Sequence, residues 1–507
     1  MEQLLNRQSV QMAHCCFSKQ EEAPISGEYV LPEYCPDIAV ILKCVAYPRL
    51  QNRQWSGEQW IVDGTAVIHV LYSDEQRNCV RSVEFAEPFT CSLRGEVSLD
   101  DTAVEITLST KYLTCRAVGP RRIEARGAIL VTAAAETASA CELAASNGSD
   151  GLYTRTETVS FSVPSRMYEK ILTVSESMEF DSRLPAAEML LGGECTAVVT
   201  ECKLLSGKAI VKGNVSVHQL YADSTENAQT HCLDFVIPFS QIMDVADASE
   251  GLPFQASVQV LSDTERCAVG PDGENTMLDV SAKLLLQLQI YTREQTTLLN
   301  DAFHCRFPIE PKFQDIECKE FLAQRYEETT VSLRISMPAT RWQEIVDLWV
   351  QPQEPYCRTN NGRCTFGGRM QIGIVGRDAD GELAYHECVE EFSEECACRG
   401  NCVSIRPRVI GVQYRVNEDS MLLTIHLHLT ISDSNVYTKR VIYDLHLCSD
   451  APYVVPKANA LLYYGEAGEE IWSIAQRCHT SPSRILEENE LYTERLTEPS
   501  ILVVPVA

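Results

Sequence analysis

The chain has 507 residues, with 71 acidic and 43 basic side chains and a formal charge of −28. This length predicts several domains, since one core serves roughly 100 to 200 residues. The negative charge repels phosphate backbones, so nucleic acid is not an expected partner. No apolar run reaches the roughly 18 to 20 residues of a membrane helix, and the first 16 residues lack the pattern of an export signal. We therefore expect a cytoplasmic protein that is not membrane-spanning, with its 22 cysteines mostly reduced and many of them buried.

The first predicted element is a short helix in a chain that otherwise indicates few helices. Asp37 follows Pro36 and has a side chain suited to capping a helix over residues 38–44. We therefore predict that this helix precedes the first strands.

Residues 61–74 carry the clearest strand signal and begin an internal repeat. Their apolar side chains alternate, so Ile68, Val70 and Tyr72 are predicted to face one side of a sheet. The same pattern returns 149 residues later, at 210–223, and later matches keep the same order. Such ordered self-similarity predicts repeated structural modules.

A third, more diverged copy aligns Gly367 with Gly64 and Gly213. Near its end, residues 422–431 alternate Leu and Ile with His and Thr, which gives one buried and one solvated face. The predicted fold class is therefore mainly β, with three antiparallel, sandwich-like modules.

Glycine-containing pairs between the strand-like runs predict tight turns, because glycine reaches positive φ at little cost. These pairs are Asp63-Gly64, Ser206-Gly207, Asp272-Gly273 and Asp380-Gly381.

The last fifty residues predict a small βααβ domain. Residues 461–464 and 501–505 are strand-like, whereas 471–475 and 483–489 have apolar side chains at helical spacing. Trp472, Ile474, Ile485 and Leu502 are predicted to form its core. The segment resembles the LysM module at Gly468, Trp472, Ile474, Ala475, Asn489, Leu491 and the Val504-Pro505 ending.

The LysM resemblance implies a groove between the loop before the first helix and the loop after the second. In that family the groove binds N-acetylglucosamine polymers. Carried over by position, the partner- or glycan-binding residues are Gly468, Glu469, Glu470, Ile471, Asn489, Glu490, Leu491 and Tyr492. Glu470 replaces the usual threonine, and residues 497–500 replace the usual Pro-Gly-Gln turn. From residue 461 on there are eight glutamates and three arginines, an acidity that suits a basic protein surface better than a neutral glycan.

Two stretches of the first module resemble the SPOCS domain of spore-forming Firmicutes. One is the Pro-x-Tyr-Cys-Pro-Asp-Ile signature at 32–38, and the other is Gly-Pro-Arg-Arg-Ile at 119–123. The second module keeps only Leu184-Pro185 of the signature. SPOCS repeats followed by a LysM module resemble the arrangement of the SipL-like family of spore morphogenetic proteins.

That resemblance implies a mother-cell protein at the forespore surface. It would act as a scaffold of the spore coat, docking through its LysM module to the SpoIVA-like basement-layer ATPase and contacting other coat proteins. Two alternatives stay open, namely a peptidoglycan-binding protein of the cell wall or spore cortex and a LysM-anchored wall hydrolase. The expected lack of an export signal argues against the first, and the expected lack of a catalytic domain argues against the second.

No metal, cofactor or catalytic site is predicted. The densest thiol cluster lacks the paired spacing of a structural zinc site, so buried thiols or later cross-links in the coat are expected. Its members are Cys388, Cys396, Cys398 and Cys402, with Cys357, Cys364 and His386 nearby. Cys35 and His69 could supply a nucleophile and a base, but His69 recurs as His218 at the same repeat position, which is typical of a structural role. No phosphate-binding loop occurs, so we predict a protein that is not an enzyme.

The repeats and the change in character near the end set the predicted domain boundaries. They are residues 1–145, 160–298 and 305–450 for the three β modules and 459–507 for the LysM domain.

Overall fold

The computed structural model describes residues 5–75, 79–95, 104–225, 228–336, 342–360, 362–417, 420–454 and 458–506. Within these residues the chain consists mainly of antiparallel strands, and the two described helices both follow residue 470. The predicted mainly β fold class is confirmed. No helix among the described residues has the length and apolar character required to cross a membrane.

Six strands form the first strand group, over residues 5–146. They are β1 (Leu5–Val30), β2 (Ile38–Trp55), β3 (Gln59–Asp74), β4 (Val80–Arg94), β5 (Glu105–Gly119) and β6 (Arg122–Ser146). One sheet has the order β2-β3-β4 and the other has the order β1-β6-β5. The long β1–β6 pair runs antiparallel over almost its whole length.

The second strand group, over residues 152–304, contains seven strands. They are β7 (Leu152–Pro164), β8 (Tyr168–Glu179), β9 (Ala187–Leu205), β10 (Lys208–Asp223), β11 (Thr230–Asp244), β12 (Phe254–Ala268) and β13 (Met277–His304). One sheet has the order β11-β10-β9, and in the other the long β13 pairs with β12, β7 and β8.

The third strand group, over residues 309–447, again contains six strands. They are β14 (Ile309–Ser336), β15 (Trp342–Asn360), β16 (Arg363–Asp378), β17 (Leu383–Ala397), β18 (Cys402–Val416) and β19 (Ser420–Leu447). Its sheets have the orders β15-β16-β17 and β14-β19-β18. The same plan of one three-stranded sheet and one sheet built on a long closing strand therefore occurs three times.

The β3 strand and its repeat counterpart β10 are central in their sheets, and alternate side chains along them are buried. Ile68, Val70 and Tyr72 all lie in the core of the first group, as predicted. Period-two burial of this kind stabilises each sheet by removing apolar area from water, about 1.5 to 3 kcal/mol for each large side chain.

The pair Asp63-Gly64 lies inside β3, so the turn predicted there is wrong. Gly64 is instead required by close packing, since a Cβ atom would meet the Phe89 ring at 2.4 Å and the Arg49 carbonyl oxygen at 2.8 Å. Gly213 in β10 has the same surroundings, with Phe239 at 2.4 Å. The three other predicted turns are confirmed by positive φ at Gly207, Gly273 and Gly381.

Residues 38–44 belong to β2, so the helix predicted there is wrong. Ile38, Val40 and Ile41 are β-branched, a type that fits a pleated sheet, and β2 pairs with β3 along its length. The Asp37 carboxylate does not cap a helix. It accepts a hydrogen bond from Arg121 at 2.8 Å.

The three strand groups share buried side chains. One shared cluster, which we call the junction core, contains Leu42 and Leu71 of the first group, Leu191 and Leu220 of the second and Val375 of the third. Further buried clusters join the long strands of all three groups. The three groups therefore pack together as one unit, which we call the body, and do not form independent domains.

A buried ion pair lies beside the junction core. Lys43 Nζ of β2 lies 2.8 Å from Asp347 Oδ2 of β15, and the Asp347 side chain is fully buried. The same carboxylate lies 3.3 Å from His218 Nε2 of β10, so all three strand groups contribute to one polar cluster.

The described cysteines are mostly free thiols, many of them buried. A disulfide joins Cys44 of β2 to Cys115 of β5 and so connects the two sheets of the first group. Within the thiol cluster of the third group, Cys357 Sγ and Cys364 Sγ lie 2.8 Å apart.

Candidate functional site

The C-terminal module, residues 458–506, contains two short helices and two paired strands. Its elements are β20 (Ala460–Gly465), α1 (Ile471–Cys478), α2 (Pro482–Glu488) and β21 (Ser500–Pro505). Ser481 precedes α2 and accepts a hydrogen bond from the Arg484 backbone N–H at 3.4 Å, and Pro482 occupies the first turn. The element order and positions agree with the sequence prediction.

Apolar side chains from both helices and both strands form the core of the C-terminal module. Ile474, Ile485 and Leu502 are buried there as predicted, together with Ile471, Ala475, Leu496 and Val504. Trp472, also predicted to be core, is only partly buried, and its ring packs against Phe303 of the second strand group.

The first loop of the predicted groove contains residues 468–471. Gly468 has a φ of +86°, which favours glycine, and Ile471 is buried in the module core. Glu469 accepts a hydrogen bond from the Tyr463 hydroxyl at 2.8 Å and pairs with Arg477. Although burial would raise the pKa of Glu469, the bonds from Tyr463 and Arg477 lower it.

Glu470 makes two ion pairs. Its carboxylate lies 2.8 Å from Arg155 of β7 and 2.7 Å from Arg495 in the loop before β21. Hydrogen bonds from Arg155 and Arg495 hold the pKa of the Glu470 carboxyl below its usual value. The side chain that replaces the usual threonine thus ties the first loop to the body and to the module itself.

The four residues of the second predicted set, 489–492, differ in their surroundings. Asn489 donates hydrogen bonds to the carbonyls of Ile485 and Val503 and accepts one from the Val503 N–H at 2.7 Å, so it fixes α2 against β21. Glu490 adopts a positive φ of 53° just after α2. Leu491 packs against the module core, whereas Tyr492 is 97% exposed.

The first loop is hydrogen-bonded to residues 494–496, which follow the second predicted set. The Gly468 N–H donates to the Leu496 carbonyl at 2.7 Å, and the Ile471 N–H donates to the Glu494 carbonyl at 2.8 Å. The Leu496 N–H in turn donates to the Glu469 carbonyl at 2.9 Å. These bonds join the first side of the predicted groove to the segment that follows its second side.

Three side chains of the second strand group hold the C-terminal module. Trp472 Nε1 donates to Asp301 Oδ2 at 2.7 Å, and the Trp472 ring lies edge-on to Phe303 at 5.0 Å. The third is Arg155, which binds Glu470. Sequence reasoning missed all three, because they lie about 170 or more residues from their partners and no local pattern marks them.

An exposed apolar surface covers the outer side of the β20–β21 pair. Leu462 is 67% exposed and Tyr464 is 73% exposed, and Ile501 lies opposite Tyr464 in the strand register. These three side chains form what we call the outer apolar surface of the C-terminal module. Apolar side chains grouped on a small module are typical of contact surfaces.

The signature loop of the first strand group, residues 32–37, is fixed by the second SPOCS-like stretch. Arg121 donates to the carbonyls of Pro32 and Cys35 at 2.8 and 2.9 Å and also to the Asp37 carboxylate. The two stretches quoted from the sequence therefore meet in space. They hold Tyr34 outward, with 87% of its side-chain surface exposed.

The second strand group keeps one part of this arrangement. The Tyr72 hydroxyl donates to the Pro36 carbonyl at 3.2 Å, and the equivalent Tyr221 hydroxyl donates to the Pro185 carbonyl at 2.9 Å. Pro185 thus takes the place of Pro36, and not that of Pro32, in the second strand group.

Cys35 and His69 are held by different neighbours. Cys35 is buried in the core of the first group, and His69 Nε2 lies 3.6 Å from Glu84 Oε2 across the β3–β4 pair. These contacts give both residues structural roles.

A family model described as SipL, SPOCS domain, matches residues 187–266. The match falls on β9 to β12 of the second strand group and supports a SipL-like family, which is not a family of enzymes. No curated protein and no solved structure matches the chain.

Proposed function

We propose that this chain is a non-enzymatic scaffold and adaptor of spore envelope assembly. In this proposal, β modules over residues 1–145, 160–298 and 305–450 form the body, and a LysM domain over 459–507 docks to the SpoIVA-like basement-layer ATPase of the coat. The protein acts in the mother-cell cytoplasm, at the forespore surface, where its body contacts other coat proteins. The SPOCS domain match at 187–266 is consistent with a protein of sporulation.

The outer apolar surface is the observation that carries the docking proposal. Tyr464 of this surface is 73% exposed, and Tyr492, which follows α2 in the same module, is 97% exposed. Tyrosine is favoured at protein contacts, because it combines a large apolar area with a hydroxyl at its tip. The surrounding glutamates suit a partner with a basic rim.

The state of the groove supports a protein ligand over a glycan. Glu470 is paired with Arg155 and Arg495, and Glu469 is paired with Arg477. A neutral glycan entering between these loops would have to displace charged contacts without offering a charge in return. A protein that binds the outer apolar surface leaves the contacts in place.

Binding of the full-length chain to the purified ATPase and to purified peptidoglycan, side by side at physiological salt, tests the proposal. We expect Tyr492→Ala combined with Tyr464→Ala to weaken ATPase binding at least tenfold, because exposed tyrosines at a contact centre each contribute about 1 kcal/mol or more. Tyr34→Ala is the matched control, since Tyr34 is equally exposed but lies in the first strand group.

Unchanged ATPase affinity in the double variant would contradict docking through this surface. Binding to peptidoglycan alone would favour the alternative function, a peptidoglycan-binding protein of the cell wall or spore cortex.

A further inference from the structure

One face of the β10–β11 pair brings together three different metal-ligating side chains. His218 of β10 lies directly opposite Asp234 of β11, and Cys232 lies two residues before Asp234 on the same side of the strand. A ligand atom from each of the three lies within 4.8 Å of the other two. The shared face is set by the strand register, so the cluster follows from the fold of the second strand group.

We propose that His218, Cys232 and Asp234 bind one divalent transition-metal ion of the zinc type. Imidazole nitrogen, thiolate sulfur and carboxylate oxygen are the three donor types that zinc accepts in proteins. The site lies where the three strand groups meet, and it is independent of the proposed docking function.

The distances between the donor atoms fit a tetrahedral ion. Metal bonds of about 2.0 Å to nitrogen or oxygen and about 2.3 Å to sulfur place neighbouring donors about 3.3 to 3.6 Å apart. Cys232 Sγ lies 3.3 Å from His218 Nδ1 and 3.7 Å from Asp234 Oδ2. His218 Nδ1 and Asp234 Oδ1 are closer, at 2.7 Å. A small rotation of the exposed Asp234 carboxylate would lengthen this distance to the value that a tetrahedral ion needs.

The other ring nitrogen of His218 has the partner that metal-binding histidines require. His218 Nε2 lies 3.3 Å from the buried Asp347 Oδ1, and the other Asp347 oxygen is held by Lys43 at 2.8 Å. A carboxylate that accepts the Nε2–H leaves the Nδ1 lone pair free for an ion. Asp347 and Lys43 are therefore positioning residues, contributed by the third and first strand groups.

The repeat supplies an internal comparison. In the first strand group, His69 lies opposite Glu84, and the position equivalent to Cys232 is Ser82. His69 Nε2 and Glu84 Oε2 are 3.6 Å apart, and this position has no thiol. A histidine and a carboxylate thus recur at the repeat position, and the thiolate donor belongs to the second group alone.

A second cluster with similar residue types does not fit an ion as well. Cys195, Asp263 and Glu265 also lie close together, but Arg49 already lies 2.8 Å from Asp263. The guanidinium supplies the positive charge there, and Cys195 is hydrogen-bonded to Glu265 at 3.1 Å.

An ion at His218, Cys232 and Asp234 would connect β10 to β11 next to the junction core. Three protein donors leave the fourth position of a tetrahedral ion open to a water molecule, and the mostly exposed Asp234 side chain gives solvent access to the site. Three protein ligands with one open position would make the site accessible to added metal.

Cobalt(II) titration of the metal-stripped, full-length chain tests the proposal. Cobalt(II) replaces zinc in tetrahedral sites and gives visible absorption, with a near-ultraviolet band when a thiolate is bound. We expect one equivalent to bind with both signals and to be displaced by zinc. Cys232→Ala should abolish the thiolate band and weaken binding at least 100-fold, and Asp234→Asn should weaken binding at least tenfold.

Ser82→Ala is the matched control, since it makes a comparable truncation at the equivalent position of the first group, and it should leave the titration unchanged. A cobalt–thiolate signal that survives Cys232→Ala would place the ion elsewhere, with the thiols of the third group as the first candidates, and would overturn the proposal. Absence of cobalt and zinc binding by the intact, folded chain would overturn it equally.

Discussion

The three strand groups and the C-terminal module are attached to the rest of the chain in different ways. The groups share the junction core and the buried Lys43–Asp347 pair, so each completes the interior of the others. The core of the C-terminal module consists mostly of its own side chains, with Phe303 and Cys305 also buried there, and Trp472 and Glu470 add polar contacts with the second group. The body is therefore predicted to unfold as a unit, whereas the module can loosen without it.

Removing Asp347 should have the largest effect on the body. Asp347→Ala leaves Lys43 buried without its partner, which typically lowers the free energy of unfolding by about 3 to 5 kcal/mol. Urea unfolding of the metal-free chain measures this change. Asp444→Ala is the matched control, because it breaks the exposed Lys312–Asp444 pair and should change stability by less than about 1 kcal/mol. Equal effects of the two changes would contradict a buried ionic contact between the groups.

Truncating one buried side chain in the junction core and one in the C-terminal module tests whether the body and the module unfold independently. Leu220→Ala opens a cavity in the junction core and should destabilise the whole body by about 2 to 5 kcal/mol. Ile474→Ala makes a similar cavity in the C-terminal module, and its effect should stay within residues 458–506 and the adjoining residues 303–305. Hydrogen exchange resolved along the chain checks both, and loss of protection in β10 on Ile474→Ala would show that the regions are not independent.

Weakening the contact between module and body should have a smaller effect. Asp301→Ala removes the acceptor of the Trp472 Nε1–H bond and should destabilise the docked position of the module by about 1 to 3 kcal/mol. We expect faster hydrogen exchange in α1 and unchanged exchange in β10. Asp315→Ala, on β14 of the third group, is a control that should leave α1 unaffected.

Acidification should have the smallest effect, through Glu470. Because hydrogen bonds from Arg155 and Arg495 lower the pKa of Glu470 in the folded chain, its contribution is present above the ordinary glutamate pKa. The contribution is lost as pH falls through the lowered value. Proteolysis of the C-terminal module should therefore quicken below about pH 4, and less so in Glu470→Gln, which lacks the charge at every pH. An identical pH profile in both chains would contradict this role of Glu470.

The sequence predicted features that depend on neighbouring residues and missed those that depend on distant ones. Alternation along residues 61–74 and 422–431 identified strands, and glycine at 207, 273 and 381 identified turns. The helix predicted at 38–44 was wrong, because β-branched side chains that favour a strand, and the pairing of this segment with β3, outweigh the capping potential of one residue. The turn predicted at Gly64 was wrong, because close packing against the ring of Phe89 is what requires a glycine there.

The candidate site shows the same limit. Residues 468–471 and 489–492 were placed by local resemblance, and whether they bind a partner stays a prediction. Sequence distance hid the contacts of Glu470 with Arg155 and of Trp472 with Asp301, since only the folded chain brings them together. The LysM resemblance predicts that Asn489 binds a ligand. Its hydrogen bonds to the carbonyls of Ile485 and Val503 instead give it a structural role.

Docking through the C-terminal module is tested by comparing ATPase binding by the intact chain and by a chain that ends at residue 454. We predict that the shortened chain stays folded, because the shared clusters of the three groups remain although Phe303 and Cys305 become exposed, and that it loses measurable binding to the ATPase. Undiminished binding by the shortened, folded chain would contradict the central claim that the C-terminal module is the docking element.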